Sequence, residues 1–399
     1  MQEHAAEPGS NVTRDDIVSR ARDLIPVLRQ RAPKTEEGRR VPPETVQDFR
    51  DAGFYRILQP ARYGGLELEY GTQTELAAEL GRGCGSSAWD ASITTCHAWI
   101  VGMYPSEAQE EVWSDDAETM VSTSFLSVSP EIEVVPGGVR LSGRWKFSSG
   151  VDHCDWAILS FRMKGPDGAA MEEFLALVRL AECTVEDTWY VTGLAGTGSN
   201  DIVVENHFVP DHRVLRVMEL RGGPSPGSAV NASYLYRLPL HGVFSFNLVG
   251  TAIGVARGAL DLVIDGLADK KSVTQATVRD QQSVQLRVAE ACAEVDAAYA
   301  LMDRNRAEIN REGRAGRTPD TEQRVRYRRD NSFAANLCVR AVDRVYPLLG
   351  GRGLAVGDPV QRAWRDVHAV SHHIALTWDV QGAMFGAVAL GQPCPEFLT

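Results

Sequence analysis

The first part of the chain repeats apolar residues at helical spacing. Between residues 17 and 28 they recur every three or four positions, behind Thr13, whose hydroxyl can cap the start of a helix. A second segment begins at Pro43 and stops at Gly53, the usual placement of proline and glycine at the two ends of a helix. The same periodicity returns twice more before the pattern changes. It predicts a mostly helical domain over residues 13–117.

The pattern changes to alternation in the middle of the chain. Residues 132–135, a turn at Pro136-Gly-Gly and residues 139–147 alternate apolar and polar side chains, as a β-hairpin does. Further short apolar runs follow, rich in Val, Ile and Phe. We predict a central β domain over residues 118–221.

Helical periodicity returns after a linker rich in Gly, Pro and Ser at residues 222–227. Several apolar stripes in succession predict an antiparallel helical bundle over residues 222–399. Residues 1–12 are polar and contain Gly and Pro, which predicts a disordered tail. The order of helical, β and helical parts places the chain in the α+β class.

Gly250, Gly254 and Gly258 recur every four residues within the C-terminal part. Each glycine costs a helix about 1 kcal/mol relative to alanine, so the stripe needs a reason. Either another helix packs closely against it, or a ligand approaches it.

Composition and charge exclude several classes of function. The 399 residues are 44% hydrophobic and 24% charged, with 41 basic against 53 acidic residues, a formal charge of −12. This balance is typical of an ordinary globular protein and lacks the basic surface that nucleic acid requires. The apolar stretch at residues 240–256 is interrupted and too short to span a membrane. The N-terminus has no secretory pattern, so we expect a cytoplasmic protein.

The seven cysteines are scattered singly, without a CxxC pair, which argues against a disulfide framework and against a metal site. The sequence also contains no GxGxxG, GxxxxGK[ST], GxSxG or HExxH motif. Unusual residues concentrate instead in four places: around His97, over Trp145–Gly150, over Trp189–Asp201 and over Gly350–His373. Taken one at a time, such residues are more often structural than functional.

The order of these segments resembles the oxygenase components of two-component, reduced-flavin-dependent aromatic monooxygenases, which have the acyl-CoA dehydrogenase fold. This group includes hydroxylases of p-hydroxyphenylacetate and of 3-hydroxy-secosteroids. The resemblance covers nearly the whole chain. Its most specific parts are Trp189-Tyr-Val-Thr-Gly through Thr197-Gly-Ser-Asn, and Trp364-Arg-Asp followed by His373, eight residues after the arginine.

The resemblance implies an enzyme that receives FMNH2, with FADH2 as the second choice, from a separate NAD(P)H:flavin reductase. A flavin C4a-hydroperoxide formed with O2 would then hydroxylate a phenolic or polycyclic aromatic substrate. Two alternatives stay open: N-oxidation of an amino sugar or amine, and dehydrogenation of an acyl-CoA with a displaced base. The dehydrogenases place a carboxylate at one of two positions, which this chain fills with Ile374 and Phe244.

The resemblance also assigns catalytic roles. His373, with His372 as the alternative if the register slips by one residue, would exchange a proton near the flavin as an imidazole that titrates near neutrality. His97 would hold the phenolic oxygen of the substrate. Ser149 or Ser148 would hydrogen-bond the flavin ring.

The remaining assignments concern binding. The substrate pocket would be lined by His97, Trp99, Phe244 and Phe246. The cofactor would be bound by Ser122, Ser124, Ser148, Ser149, Trp189, Thr197, Ser199, Gly350, Gly351 and Arg365. Gly350 and Gly351 can equally be a simple helix end; in the family they contact a neighbouring subunit's cofactor, which implies a homotetramer.

Overall fold

The structure is a computed structural model that describes residues 12–165, 168, 170–271 and 275–394. Apart from Val12, the predicted disordered tail of residues 1–12 lies outside the described residues. The described chain runs through helices, then strands, then helices again, in the predicted order.

The N-terminal part is helical, as predicted. Thr13 caps the first helix: its hydroxyl accepts a hydrogen bond from the Asp16 amide, and the Asp16 carboxylate accepts one from the Thr13 amide. The second helix begins at Pro43, again as predicted. The five helices are α1 (Arg14–Gly38), α2 (Pro43–Asp51), α3 (Thr72–Leu80), α4 (Gly85–Val101) and α5 (Ser106–Trp113).

The central part consists of two four-stranded sheets, ordered β1-β4-β5-β8 and β2-β3-β7-β6. The predicted hairpin is confirmed, since β2 and β3 pair antiparallel up to Val135 and Gly138. Apolar side chains from both sheets form one buried cluster, so the sheets pack face to face. The strands are β1 (Val121–Ser124), β2 (Leu126–Val135), β3 (Gly138–Ser148), β4 (Trp156–Lys164), β5 (Met171–Arg179), β6 (Thr184–Glu186), β7 (Asn200–Pro210) and β8 (Val214–Arg216).

The C-terminal part is a bundle in which α8 and α9 lie side by side and α7 contacts α3, α4, α9 and α10. Its helices are α6 (Leu240–Val243), α7 (Phe246–Leu267), α8 (Gln282–Arg314), α9 (Thr321–Val345), α10 (Pro359–Ser371) and α11 (Trp378–Ala389). The expectation that this apolar stretch is too short to span a membrane was wrong: by length and composition, residues 240–267 could cross one, but 94% of their most apolar part is buried inside the protein. This is the burial of a core helix.

The glycine stripe is explained by helix packing. A Cβ at Gly254 would lie 2.7 Å from the carbonyl oxygen of Ala77, and one at Gly250 would lie 2.1 Å from that of Thr74. Gly258 approaches the Arg82 carbonyl in the same way. Helix α7 therefore rests directly on the backbone of α3 and the turn that follows it, which joins the N-terminal helices to the bundle.

We expect Gly254→Ala to destabilise the protein although alanine favours helices, because the new methyl group meets backbone rather than a movable side chain. Overpacking of this kind costs about 1–3 kcal/mol. Gly266→Ala is the matched control on the same helix, since nothing lies within 4 Å of its Cβ position. Thermal unfolding should show a lower midpoint for the first variant and an equal or higher one for the second; equal midpoints in both variants would contradict the close packing.

Candidate active site

Trp89 of α4 connects two of the predicted catalytic residues. Its indole Nε1 donates a hydrogen bond to Ser149 Oγ at 3.1 Å. Its ring centroid lies 5.7 Å from that of the His373 imidazole. Ser149 directly follows β3 and His373 follows α10, so this contact joins all three parts of the chain.

A directed chain of hydroxyls continues from Ser149. Its Oγ lies 2.8 Å from Ser199 Oγ, which lies 2.7 Å from Thr197 Oγ1. Because Thr197 donates to the Leu194 carbonyl, Ser199 donates to Thr197 and Ser149 donates to Ser199. Ser149 thus uses its hydrogen within the protein and keeps one lone pair for a ligand.

His373 is partly buried, and its tautomer follows from its contacts. The Ala375 amide donates to His373 Nδ1 at 3.1 Å, so the neutral ring carries its hydrogen on Nε2. Burial, and then the nearby Arg328 guanidinium, lower the pKa of His373 to about 4. This corrects the expectation of an imidazole that titrates near neutrality: His373 presents a neutral Nε2–H donor.

His372 takes a different position from His373. Its side chain is exposed and its Nδ1 lies 2.7 Å from the His368 carbonyl oxygen. Of the two neighbouring histidines, His373 is the one that contacts Trp89.

Aromatic rings extend the site beyond His373. The Phe244 ring stacks 6.3 Å from the His373 ring, and Phe125 lies 5.3 Å from Phe244 in an edge-to-face contact. His241 follows, 6.3 Å from Phe125, with its Nε2 3.0 Å from Glu173 Oε2. Apolar faces therefore cover one side of the site, with a carboxylate-bound histidine at the end of the row.

His97, the third predicted catalytic residue, is buried against the start of the first sheet. Its Nδ1 donates to the Val121 carbonyl at 2.7 Å, which leaves the lone pair on Nε2. Burial lowers the pKa of His97 to about 4, although the bond to Val121 acts in the other direction. The neutral ring can thus accept a hydrogen bond from a hydroxyl, as the predicted contact with a phenol requires.

The hydroxyl side chains of β1 and of the end of β3 differ in whether they have a hydrogen-bond partner. Ser124 Oγ donates to the Lys146 carbonyl at 2.6 Å, and Ser122 Oγ approaches the Trp156 carbonyl at 3.5 Å. By contrast, Thr123 Oγ1 and Ser148 Oγ are buried without a hydrogen-bond partner among the described residues. Such orphaned groups are costly unless something binds them. They fit the hydrogen-bonding edge of a flavin ring.

Phe147 has a strained backbone between Trp145 and Ser148. Its φ is +66°, which is rare for a bulky residue, and the pairing of β3 with β7 shifts register at this point. The bulge buries Ser148 and leaves the Phe147 ring 53% exposed, in edge-to-face contact with Trp189 at 5.9 Å. Phe147 and Trp189 thus form an aromatic pair at the end of β3, directly before Ser148 in the chain.

Two residues predicted to line the substrate pocket lie elsewhere. Trp99 is fully buried and donates to the Leu235 carbonyl at 2.8 Å. Phe246 is also fully buried and packs on Tyr70, as Trp99 does. The structure places both in a core cluster and not in the row of rings around His373, so their role in the pocket stays a prediction.

The predicted cofactor residues of the C-terminal part are also apart from this group. Gly350 and Gly351 are exposed and lie in a 3-10 helical segment, Tyr346–Leu354, that is kinked at Gly350, where φ is +64°. Arg365 binds Glu36, Gln361 and the Thr192 carbonyl, and its Nη2 is buried with no hydrogen-bond partner among the residues that the structure describes. The chain itself thus uses Arg365 to hold α10 against α1 and the loop after Trp189.

Sequence reasoning missed Trp89 and the buried acid next to it, Asp90. The sequence does contain a signal for Trp89. It lies eight residues before His97 on the same helix, about two turns away, so the two side chains lie on a similar face of that helix. Only the folded chain shows that its indole reaches Ser149.

Comparison with known proteins identifies the family of the chain. Residues 15–117 match the acyl-CoA dehydrogenase N-terminal domain, and residues 247–378 match the acyl-CoA dehydrogenase C-terminal domain. The chain is 36% identical to the FADH(2)-dependent resorcinol hydroxylase, oxygenase component, of Rhizobium sp. strain MTP-10005, over 97% of each chain.

Solved structures extend the match to three dimensions. The 3-HSA hydroxylase from Rhodococcus sp. RHA1 has a TM-score of 0.90 and 32% identity, covering 96% of this chain and 99% of that one. XiaF from Streptomyces sp., in complex with FADH2 and glycerol, has a TM-score of 0.87 and 26% identity, covering 95% and 96%. The full-length relatives and the fold show that the chain belongs to the oxygenase components of flavin-dependent monooxygenases, which are built on the acyl-CoA dehydrogenase fold.

Proposed function

We propose that this oxygenase takes reduced FAD from a separate NAD(P)H:flavin reductase and, with O2, hydroxylates a phenol. The observation that carries the proposal is the group formed by Trp89, Ser149 and His373, together with the hydroxyls of Thr123 and Ser148, which have no hydrogen-bond partner in the described part of the chain. It combines hydrogen-bonding groups for a flavin with apolar rings for an aromatic substrate.

FADH2 replaces FMNH2 as the preferred cofactor in this proposal. The resorcinol hydroxylase relative is FADH(2)-dependent by name, and XiaF was solved in complex with FADH2. A single-ring phenol is the preferred substrate class, because the relative with 36% identity acts on resorcinol.

When bound, reduced flavin supplies two electrons that allow one atom of O2 to enter the substrate ring and the other to leave as water. The neutral Nε2–H of His373 donates a hydrogen bond to oxygen in the site. His97 Nε2 accepts one from the phenol and fixes its orientation. Phe244 and Phe125 exclude water, which limits loss of the oxidising equivalent as hydrogen peroxide.

The dehydrogenase alternative has no base at either of the two positions where those enzymes place one. Ile374 is 64% exposed and Phe244 is buried and apolar, and neither side chain accepts a proton. N-oxidation remains an outcome that the substrate test distinguishes.

We also propose the homotetramer of the resemblance. Leu354, at the end of the 3-10 segment that contains Gly350, and Val356, just after it, are 78% and 74% exposed. Apolar side chains this exposed are typical of a surface that contacts another subunit.

The first experiment supplies the purified chain with NADH, a flavin reductase and either FAD or FMN under 18O2. We expect single-ring phenols to gain one 18O atom. More product should form for each NADH oxidised when FAD is supplied than when FMN is supplied. Oxidation of amines but of no phenol would overturn the substrate class, and acyl-CoA-dependent bleaching of oxidised flavin without oxygen would overturn the reaction. Equal coupling with FMN would remove the cofactor preference.

His373→Ala should lower product formation roughly 10- to 100-fold and raise hydrogen peroxide release, because a donor to oxygen in the site is lost. His372→Ala is the matched control on the neighbouring, exposed histidine. Since the pKa of His373 is about 4, its neutral form prevails above that value and is lost only as pH falls through it. Between pH 6 and 9, product yield should therefore depend on pH in the same way in wild type and in His373→Ala. A rise or fall in the wild-type yield that His373→Ala abolishes would contradict a neutral donor.

Ser148→Ala and Ser149→Ala should affect different properties of the protein. Ser149→Ala removes the acceptor of Trp89 and breaks the hydroxyl chain, which costs about 1–3 kcal/mol and lowers the unfolding temperature. Ser148→Ala breaks no bond within the described protein, so the unfolding temperature should hold while anaerobic titration shows reduced flavin bound roughly 2- to 10-fold more weakly. Unchanged flavin affinity in Ser148→Ala would contradict its assignment to the flavin.

A further inference from the structure

The hydroxyl chain that begins at Ser149 has a fixed direction, which decides what Ser149 offers a ligand. Its Oγ accepts a hydrogen bond from the Trp89 indole at 3.1 Å and donates its own hydrogen to Ser199 Oγ at 2.8 Å. A hydroxyl has one hydrogen and two lone pairs, so a single lone pair is left. Ser149 is therefore an acceptor, and not a donor, for a molecule bound in the site.

The far end of the chain explains why this direction holds. The Leu194 carbonyl accepts hydrogen bonds from Thr197 Oγ1 at 3.0 Å and from the Trp189 indole at 3.0 Å, which occupies both of its lone pairs. The Leu194 amide is held in turn by Asp366 Oδ1 at 2.7 Å. To reverse the chain, Thr197 would have to give up its bond to this carbonyl.

Solvent does not loosen the chain, because its three hydroxyl residues are at most 9% exposed. A reversal therefore loses one buried hydrogen bond without a replacement from water. Such a bond is worth roughly a 2- to 10-fold change in an equilibrium constant.

The hydroxyls of Ser148 and Thr123 differ from Ser149 in this respect. Neither has a hydrogen-bond partner among the described residues, so each can turn either to donate or to accept. Adaptable hydroxyls suit a flavin in either redox state. Within this set, Ser149 is the hydroxyl whose role the protein fixes.

Reduction changes the hydrogen-bonding character of a flavin ring at N5. In the oxidised ring N5 is an acceptor, and two-electron reduction with uptake of a proton turns it into an N–H donor. By contrast, N3–H is a donor in both redox states. An acceptor-only hydroxyl at N5 therefore favours reduced flavin, whereas the same hydroxyl at N3 would favour neither state.

The relation between Ser149 and His373 points to N5. Trp89 contacts both residues, by its hydrogen bond to Ser149 and by a ring contact of 5.7 Å with His373. The proposed function makes His373 a donor to oxygen, and O2 reacts with reduced flavin at C4a, the ring atom bonded to N5. One indole thus joins Ser149 to the side of the site where oxygen is handled.

We propose that Ser149 accepts a hydrogen bond from flavin N5–H and thereby makes the site selective for reduced over oxidised flavin. Ser199 and Thr197 are positioning residues that keep Ser149 an acceptor. The selection retains the flavin that the reductase delivers and releases it after oxidation, so each turnover begins with a fresh reduced molecule. It rests on the proposed function, because the role of His373 toward oxygen comes from there.

The first test measures anaerobic dissociation constants of oxidised and of reduced FAD for the purified protein, without substrate. Wild type should bind reduced FAD more tightly. Ser199→Ala removes the acceptor of the Ser149 hydrogen, which can then turn to oxidised flavin. The ratio of the oxidised to the reduced dissociation constant should therefore fall roughly 2- to 10-fold. The reduction potential of the bound flavin should fall in step, by about 30 mV for a tenfold change.

Thr197→Val makes the same change one residue further along the chain. The Leu194 carbonyl keeps its bond from Trp189, but Ser199 loses its acceptor and can donate to Ser149 instead. The ratio should fall in this variant too. An unchanged ratio in Ser199→Ala and in Thr197→Val would overturn the proposal.

Ser86→Ala is the matched control. Ser86 Oγ accepts a hydrogen bond from the Gly196 amide at 3.1 Å, so it supports the same segment without belonging to the hydroxyl chain. Its loss should lower the unfolding temperature and leave the ratio as in wild type. A fall in the ratio as large as that in Ser199→Ala would show general loosening of the segment and overturn the role of the chain.

Flavin analogues test the atom that Ser149 contacts. In 5-deaza-FAD a carbon replaces N5, and in 1-deaza-FAD a carbon replaces N1. Wild type should lose roughly 2- to 10-fold of its preference for the reduced form with 5-deaza-FAD and keep it with 1-deaza-FAD. Ser199→Ala should not alter the ratio for 5-deaza-FAD. The same preference for 5-deaza-FAD as for FAD in wild type would overturn the assignment to N5.

These titrations contain neither O2 nor substrate, so they decide the selection separately from the reaction. A wild type that shows the expected ratios but hydroxylates no phenol would count against the proposed function and support the selection. Equal affinity of wild type for both redox states would overturn the selection even if phenols are hydroxylated.

Discussion

The direct contact between α7 and the backbone of α3 is the constraint on which the rest of the molecule depends. Three glycines let the backbone of α7 come into direct contact with the backbone of α3 and of the turn that follows it. Buried hydrogen bonds then fix their register: Thr74 Oγ1 donates to the Phe246 carbonyl, and Gln73 donates to the Asn247 side chain. A shift of one residue would break both bonds and bring side chains against backbone.

This register decides what the site contains. Phe244 comes just before α7, and Ser92 of α4 donates to the Asn247 carbonyl, so α4 is held against the same end of α7. Trp89, one turn earlier on α4, then meets His373 and Ser149. Packing and chemistry are coupled here, because the same burial that closes the site lowers the pKa of both histidines and makes them neutral hydrogen-bonding groups.

Local signals predicted the fold well, because caps, turns and glycines act over a few residues. Thr13, the hairpin turn and the glycine stripe all appear as expected. The site was predicted only in part. The hydrogen on His373 depends on the Ala375 amide and on Arg328, and the hydrogen of Ser149 is assigned through a chain that ends at Leu194. Such facts arise from tertiary contacts, which no local pattern in the sequence contains.

The wide separation of Trp89, Ser149 and His373 along the chain has a consequence for the cell. Each comes from a different part of the fold, so no domain that folds alone holds a complete site. Contacts between such distant residues form late in folding, since closing long loops is entropically costly. A nascent or partly unfolded chain therefore lacks the enclosure in which reduced flavin meets oxygen, and the oxidative chemistry begins only once the whole chain is assembled.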